Sequence, residues 1–136
     1  MQRAGRFLFA FLAWAFLVGV VVQVFLAGVG LFGVSGMDLH VGFGYLIVYI
    51  PLLMLIVAVA ARPDRRTVWL TVALFVFGSV IQPALPYLRT VSPFVAALHP
   101  PNALLVFWLA AIVARRSLAL TRSAAGADPT EPANAE

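Results

Sequence analysis

The 136-residue chain contains no cysteine and no lysine, and charged residues make up only 10% of it. The lack of cysteine excludes disulfides, thiolate metal sites and cysteine nucleophiles. Ordinary globular domains carry about a quarter charged residues, whereas this chain is 63% hydrophobic and has a mean hydropathy of +1.03. A soluble chain of this composition would not cover its own surface with polar groups. We therefore expect an integral membrane protein with the lipid bilayer as its surroundings.

Four stretches contain no charged residue, at 7–34, 39–61, 67–88 and 90–114. A helix needs roughly 20 apolar residues to cross a bilayer, and backbone groups in hydrocarbon must pair within the segment. The sequence therefore predicts an all-α protein with a transmembrane domain over 1–116 and helices at about 7–34, 39–61, 67–88 and 93–116. The remaining residues, 117–136, are rich in Ala, Pro, Thr and Ser and predict a disordered tail.

The nine arginines cluster at the ends of these stretches, which is typical of a topology signal and unlike a nucleic-acid-binding face. By the positive-inside rule, both termini and the connection between helices 2 and 3 are predicted to face the cytoplasm, with the protein in a bacterial inner membrane. Short connections make neighbouring helices antiparallel, which predicts an up-down four-helix bundle. The arginines at the predicted cytoplasmic end are Arg3, Arg6, Arg62, Arg65, Arg66, Arg115, Arg116 and Arg122.

An internal repeat appears when the chain is shifted by 59 residues. Both halves then read F-x2-G-x-V-x-Q-x2-L-x12-L-H-x5-L, starting at Phe16 and Phe75. Hydrophobic matches are common in such a chain, but the two histidines of the protein and the two glutamines inside its apolar stretches also fall in register. The sequence therefore predicts two tandem two-helix repeats related by a pseudo-twofold axis along the membrane normal.

This symmetry places His40 and His99 at equal depth near the outer ends of helices 2 and 4, facing each other if both point inward. Opposed imidazoles suit the two axial positions of a b-type haem, and bundle cores commonly hold such cofactors. Small residues would make room for the macrocycle, the glutamines would supply hydrogen bonds, and an outer arginine would receive the propionates. The predicted cofactor-binding residues are His40, His99, Gln23, Gln82, Gly28, Gly42, Gly44 and Arg89, with both histidines as metal ligands.

Other interpretations of these residues remain open. The histidines are alternatively interfacial polar residues, the glutamines interhelical hydrogen-bonding groups, and the glycines close-packing positions. Met37 and Met54 are alternative axial ligands. Pro100 and Pro101 predict either a helix start or a kink after His99.

Electron transfer or haem handling is the predicted function, and a cofactor-free membrane scaffold or accessory subunit is the alternative. Whether the protein is an enzyme stays open, because no nucleophile, base and acid form a set in the sequence. Electron transfer would need a quinone, a redox membrane partner or a second copy of the chain. No nucleic acid is expected as a partner.

The stretches QVFLAGVGLFG, LHVGFGYLIVYI and QPALPYLRTVSPFVAALHPPNALLVFWLAAIVARR resemble one four-helix half of haem A synthase. The resemblance implies that His40 and His99 are haem ligands. The chain differs from that family in having Met37 where a glutamate stands, Val41 where an arginine stands, and no cysteine pair. It also resembles an uncharacterised family of small four-helix bacterial membrane proteins of unknown function, which implies a similar fold.

Overall fold

The computed structural model describes residues 2–125, and this part of the chain is entirely helical apart from its connections. It contains four helical segments that are long and apolar enough to cross a membrane, as a multi-pass membrane protein requires. We refer to them as spans 1 to 4. They comprise Gln2–Leu31, Asp38–Ala61, Arg65–Thr90 and Pro93–Arg122.

Span 1 packs along both span 2 and span 4, and span 3 also contacts both of them. The buried core lies mainly between Phe9 and Phe16 of span 1, Met54 of span 2, Leu74 of span 3 and Val113 of span 4. These side chains are at most 2% exposed. The tight packing therefore lies toward the end of the molecule that carries most of the arginines, and the histidine end is more open.

Spans 1 and 2 are joined by a short turn, and span 2 itself contains a break. Span 1 ends at Leu31, and Gly33 follows with φ of +71°, a left-handed conformation that glycine adopts at little cost. Span 2 is made of two helices, Asp38–Ile47 and Ile50–Ala61. Pro51 explains the break, because it has no N–H for the carbonyl of Ile47 and its ring crowds that turn.

Span 3 is the least regular of the four. An α-helix over Arg65–Leu74 continues as a π-helix over Phe75–Ile81, one α-turn at Gln82–Ala84 and a 3-10 helix over Leu85–Thr90. The two prolines of this region remove the N–H groups that an α-helix would need at positions 83 and 86. The change of pitch around Gln82 follows from that loss.

Span 4 also consists of two helices, Pro93–Ala96 and His99–Ala125. Ser92 caps the first, its hydroxyl accepting a hydrogen bond of 3.4 Å from the N–H of Val95. The second begins at His99, so Pro100 and Pro101 occupy its first turn, where no N–H is needed. Of the two alternatives for these prolines, the structure has the helix start.

The four predicted helices exist, but their ends differ from the predicted ones. Span 1 stops at Leu31 instead of 34, and the last helix continues to Ala125 instead of 116. The prediction of a disordered tail is therefore wrong for 117–125, and 126–136 lie outside the described residues. The helix continues because Ser117 is fully buried, its hydroxyl donating to the carbonyl of Ala114, and Leu120 packs against the core.

At the arginine-rich end, Asp64 joins the start of span 3 to span 4. Its carboxylate caps span 3, accepting hydrogen bonds from the N–H groups of Arg66 and Thr67 and from the Thr67 hydroxyl at 2.6 Å. Arg116 of span 4 donates to the same carboxylate at 2.9 Å. The Thr67 hydrogen bond and Arg116 outweigh the effect of burial and lower the pKa of Asp64 from 3.8 to about 2.

Replacing Asp64 with alanine is expected to destabilise the protein, because it removes both the helix cap and the ion pair. Loss of a cap costs about 1 kcal/mol, and an exposed ion pair adds less than about 1 kcal/mol. Asp64→Asn is the matched control, since asparagine caps as well as aspartate, and it should lose only the smaller ionic part. Thermal unfolding in detergent measures both, and equal losses in the two variants would contradict the capping role.

The stability difference between the wild type and Asp64→Asn should also depend on pH. Because the pKa of Asp64 is lower in the folded protein than in the unfolded chain, its contribution is complete above about pH 4 and lost as the pH falls toward 2. The wild type should therefore lose its stability advantage over Asp64→Asn across this interval. An advantage that is constant down to pH 2 would exclude Asp64 as its source.

Candidate functional site

The two histidines of the chain meet near one end of the molecule. His40 lies in the first turn of Asp38–Ile47, and His99 begins the last helix. Their ring centroids are 6.2 Å apart and the ring planes are inclined by 77°. Both side chains are half-buried. The structure therefore brings together two imidazoles that are 59 residues apart in the sequence.

Each histidine is held by the glutamine that precedes it by 17 residues. Nδ1 of His40 lies 3.0 Å from the carbonyl oxygen of Gln23, and Nδ1 of His99 lies 3.0 Å from that of Gln82. In return, Nε2 of each glutamine donates to the backbone carbonyl of its histidine, at 2.9 Å and 3.2 Å. The same reciprocal pair of hydrogen bonds therefore joins spans 1 and 2 and joins spans 3 and 4.

These contacts determine which ring nitrogen carries the proton. A backbone carbonyl only accepts hydrogen bonds, so Nδ1 of each histidine must be the protonated nitrogen. In a neutral ring, Nε2 then carries the lone pair, which is the form that binds metals. A ring N–H donated to a backbone carbonyl is also the usual support of a metal-ligating histidine.

Gln82 has all its polar groups occupied. Its Oε1 accepts from the side-chain amide of Asn102 at 2.5 Å, and the same amide reaches the carbonyl of Phe77 in the π-helix at 3.0 Å. Its Nε2 also lies 3.3 Å from Nε2 of His99. Pro86 offers no N–H to the carbonyl of Gln82 four residues earlier, and the imidazole of His99 takes that place.

Gln23 is not fully satisfied, and this is the main difference between the two halves. Its Oε1 is buried and has no hydrogen-bond partner in the structure. The position equivalent to Asn102 is Phe43, whose side chain has no donor. Phe43 instead lines an apolar surface groove of about 410 Å³ with residues of span 1. The substitution of phenylalanine for asparagine thus leaves a buried acceptor unpaired.

The predicted glycines have different surroundings. Gly44 abuts the Gln23 amide, since a Cβ there would lie 2.6 Å from Nε2 of Gln23. Gly28 and Gly42 face open space, because a Cβ at either would meet nothing within 4 Å. The structure therefore brings Gly44 into the site, while Gly28 and Gly42 have no neighbouring side chain against them.

The other predicted residues lie outside the histidine pair. Arg89 is exposed on the 3-10 helix, and its role as a propionate partner stays a prediction. Met54 is fully buried in the core, and the sulfur of Met37 adjoins Gly30. Neither methionine sulfur is placed with the rings, so the histidines are the better candidates as ligands.

Sequence reasoning missed two features of the site. Asn102 stands three residues after His99, on the same helix face, and it was detectable as the only asparagine within an apolar stretch. The hydroxyls of Tyr45 and Tyr87 hydrogen-bond to each other between spans 2 and 3. These tyrosines are not equivalent in the repeat, so no pattern paired them.

A second contact follows the repeat. A Cβ on Gly19 would lie 3.2 Å from Ile47, and a Cβ on Gly78 would lie 3.4 Å from Val106. Both partners stand 28 positions after their glycine, and the two pairs are related by the shift of 59 residues. In each half, a glycine therefore lets the next span's β-branched side chain approach the helix backbone.

The chemistry available to the site is that of two imidazoles. Among residues 2–125, no group of three or more His, Cys, Asp or Glu side chains is placed to hold a metal ion. Zinc, the metal that imidazoles most often bind in proteins, takes three or four protein ligands. Two imidazole nitrogens suffice, however, for a metal whose remaining ligands come from a macrocycle.

Comparison with known proteins yields one similarity. Residues 23–86 match the model of a family of unknown function, DUF6220. The matched segment covers just under half of the chain and includes Gln23, His40 and Gln82. No curated protein and no solved structure matches the chain. The similarity agrees with an uncharacterised family, and no relationship to haem A synthase is shown.

Substitutions at Asn102 and at the corresponding Phe43 test the hydrogen-bond network of the two glutamines. Asn102→Ala leaves the partly buried Oε1 of Gln82 without its donor and is expected to cost about 1 kcal/mol. Phe43→Asn supplies a donor where Gln23 lacks one and is expected to lose less stability than Phe43→Ala, which removes the same apolar contacts without adding a donor. Thermal unfolding compares the variants. Equal melting temperatures for Phe43→Asn and Phe43→Ala would contradict this account of Gln23.

Proposed function

We propose that the protein is a membrane haem protein that binds one b-type haem between His40 and His99 and serves in electron transfer or haem handling. The observation that supports this most is the pair of matched imidazoles, each with Nδ1 donating to a carbonyl and Nε2 carrying the lone pair. The lone pair of His99 accepts a hydrogen bond of 3.3 Å from the Gln82 amide, which coordination would replace. The ring centroids are 6.2 Å apart, so His40 and His99 are close enough to hold one group bound between spans 2 and 4.

The surroundings of the rings also suit a macrocycle. The core is densely packed toward the arginine-rich end, and Gly28 and Gly42 of spans 1 and 2 have no neighbouring side chain against them. Gln23 and Gln82 would hold the ligands in orientation through their carbonyls, as outer groups do for metal-bound histidines. Arg89, exposed at the end of span 3, would be the cation for the propionates.

When bound, haem would supply a one-electron couple, and the residues of the chain would bind it, orient it and exclude water. A single haem near one membrane face does not carry electrons across the bilayer. The proposal therefore includes a partner, which is a quinone, another redox membrane protein or a second copy of the chain.

We further propose that the four spans form an up-down bundle of two tandem repeats with both termini in the cytoplasm of a bacterial cell. The matched glutamine–histidine bonds and the matched glycine contacts support the repeat. The arginines support the orientation, since eight of nine stand at the end opposite the histidines.

A cofactor-free scaffold or accessory subunit is the second candidate, and one observation favours it. The reciprocal hydrogen bonds link consecutive spans without any ligand, which is a structural role that polar side chains commonly have in membranes. Removing the histidines would therefore destabilise the protein under either proposal. The presence of colour, and not a loss of stability, distinguishes the two.

The absorption spectrum of the detergent-purified protein, oxidised and then dithionite-reduced, tests the haem proposal. We expect a sharp band in the reduced protein at one haem per chain, which is lost in His40→Ala and in His99→Ala. Asn102→Ala is the control, because it removes a neighbouring hydrogen bond and leaves both imidazoles. A wild type that stays colourless after haem reconstitution would exclude the proposal and favour the scaffold.

A reporter fused after Glu136 tests the orientation. We expect activity from a reporter that works only in the cytoplasm, and none from one that requires the periplasm. A reporter inserted between Gly33 and Gly36, in the turn after span 1, is the matched control and should give the opposite pattern. Periplasmic activity at Glu136 would reverse the proposed topology.

A further inference from the structure

The arginine-rich end of the molecule carries much more positive charge than its own carboxylates balance. Eight arginines stand there, at positions 3, 6, 62, 65, 66, 115, 116 and 122. Asp64 is the only acidic residue at this end within the described part of the chain, and Arg116, Thr67 and two backbone N–H groups already occupy it. The other acidic residues of the C-terminal region, Asp128, Glu131 and Glu136, lie outside the described residues.

Three of these arginines converge where span 1 begins and span 2 ends. Nε of Arg6 donates to the carbonyl of Ala61 at 3.4 Å, directly before Arg62. Gly5 makes this approach possible, since a Cβ there would lie 3.0 Å from the backbone of Ala60 and Ala61. Arg3 stands one turn before Arg6 and shares its helix face. This contact places the backbone of residues 3, 6 and 62 at the same end of spans 1 and 2, and we call Arg3, Arg6 and Arg62 the arginine triad.

Arg62 occupies a position that normally favours glycine. It ends span 2 with φ of 50° and ψ of 58°, and it is the only residue other than glycine with positive φ in residues 2–125. Left-handed backbone at a helix end is usually glycine, because a Cβ makes this conformation unfavourable. An arginine there costs stability that a glycine would not, so its side chain is expected to contribute something that offsets the cost.

We infer that the arginine triad binds the phosphate of an anionic phospholipid headgroup. The triad lies at the end of spans 1 and 2, where a bilayer places its headgroups. Guanidinium groups bind phosphate oxygens with paired hydrogen bonds, and clustered basic residues beside a membrane span favour anionic lipids. Arg6 bonds to Ala61 through Nε, and Arg3 and Arg62 are exposed. This inference is independent of the haem proposal.

The effect of Arg62→Gly on the melting temperature should depend on the lipid. The variant relieves the left-handed strain and removes one charge, so in nanodiscs of phosphatidylcholine alone it should melt higher than the wild type. In nanodiscs with equal parts of phosphatidylglycerol, the wild type should gain stability and the variant should gain much less, so that its advantage shrinks or reverses. Arg115→Gln removes a charge outside the triad and should keep the full gain.

Three other outcomes would overturn the inference. Equal gains from phosphatidylglycerol in Arg62→Gly, Arg3→Gln and the wild type would overturn it. An equal gain from inorganic phosphate in phosphatidylcholine nanodiscs, at matched ionic strength, would assign the site to a soluble phosphate and overturn the lipid. A gain that appears only after Asp128→Asn, Glu131→Gln and Glu136→Gln would show that the tail carboxylates occupy the triad, and would also overturn it.

Discussion

The reciprocal hydrogen bonding between each glutamine and its histidine is the interaction on which the histidine end of the protein depends. In hydrocarbon, an unpaired polar group costs several kcal/mol, so an imidazole and an amide at membrane depth must satisfy each other or the backbone. Here the amide reaches the carbonyl of the histidine and the imidazole reaches the carbonyl of the glutamine. This arrangement fixes the helix crossing and the ring orientation at once.

The irregular third span shows how the same bonds accommodate helix breakers. Pro83 and Pro86 would leave backbone carbonyls unpaired in a regular helix. Pro86 leaves the carbonyl of Gln82 without its helical donor, and the imidazole of His99 supplies one. Before Pro83, the π-helix of Phe75–Ile81 changes the bonding register, so that the N–H of Gln82 donates to the carbonyl of Phe77, which also accepts from the amide of Asn102. Span 1 contains no proline and forms a regular helix through Gln23.

The sequence predicts the parts of this fold that depend on composition and periodicity. Long uncharged stretches in a membrane require helices. The register of Gln23 with Gln82 and of His40 with His99 indicates that the two glutamine–histidine pairs occupy equivalent positions. The π-helix, the break before Pro51 and the helix through Ala125 depend on how neighbouring spans supply or remove individual contacts. Ser117 illustrates the limit, because its burial against the core is not visible in a polar, alanine-rich stretch.

The two ends of the molecule are held together by different interactions. At the arginine-rich end, Phe9, Met54 and Val113 fill the interior, and Asp64 ties span 3 to span 4. This packing joins the four spans at that end. At the histidine end, an unpaired amide oxygen and open glycine faces remain. Since a buried acceptor without a donor costs free energy, the histidine end is less completely satisfied than the packed arginine-rich end.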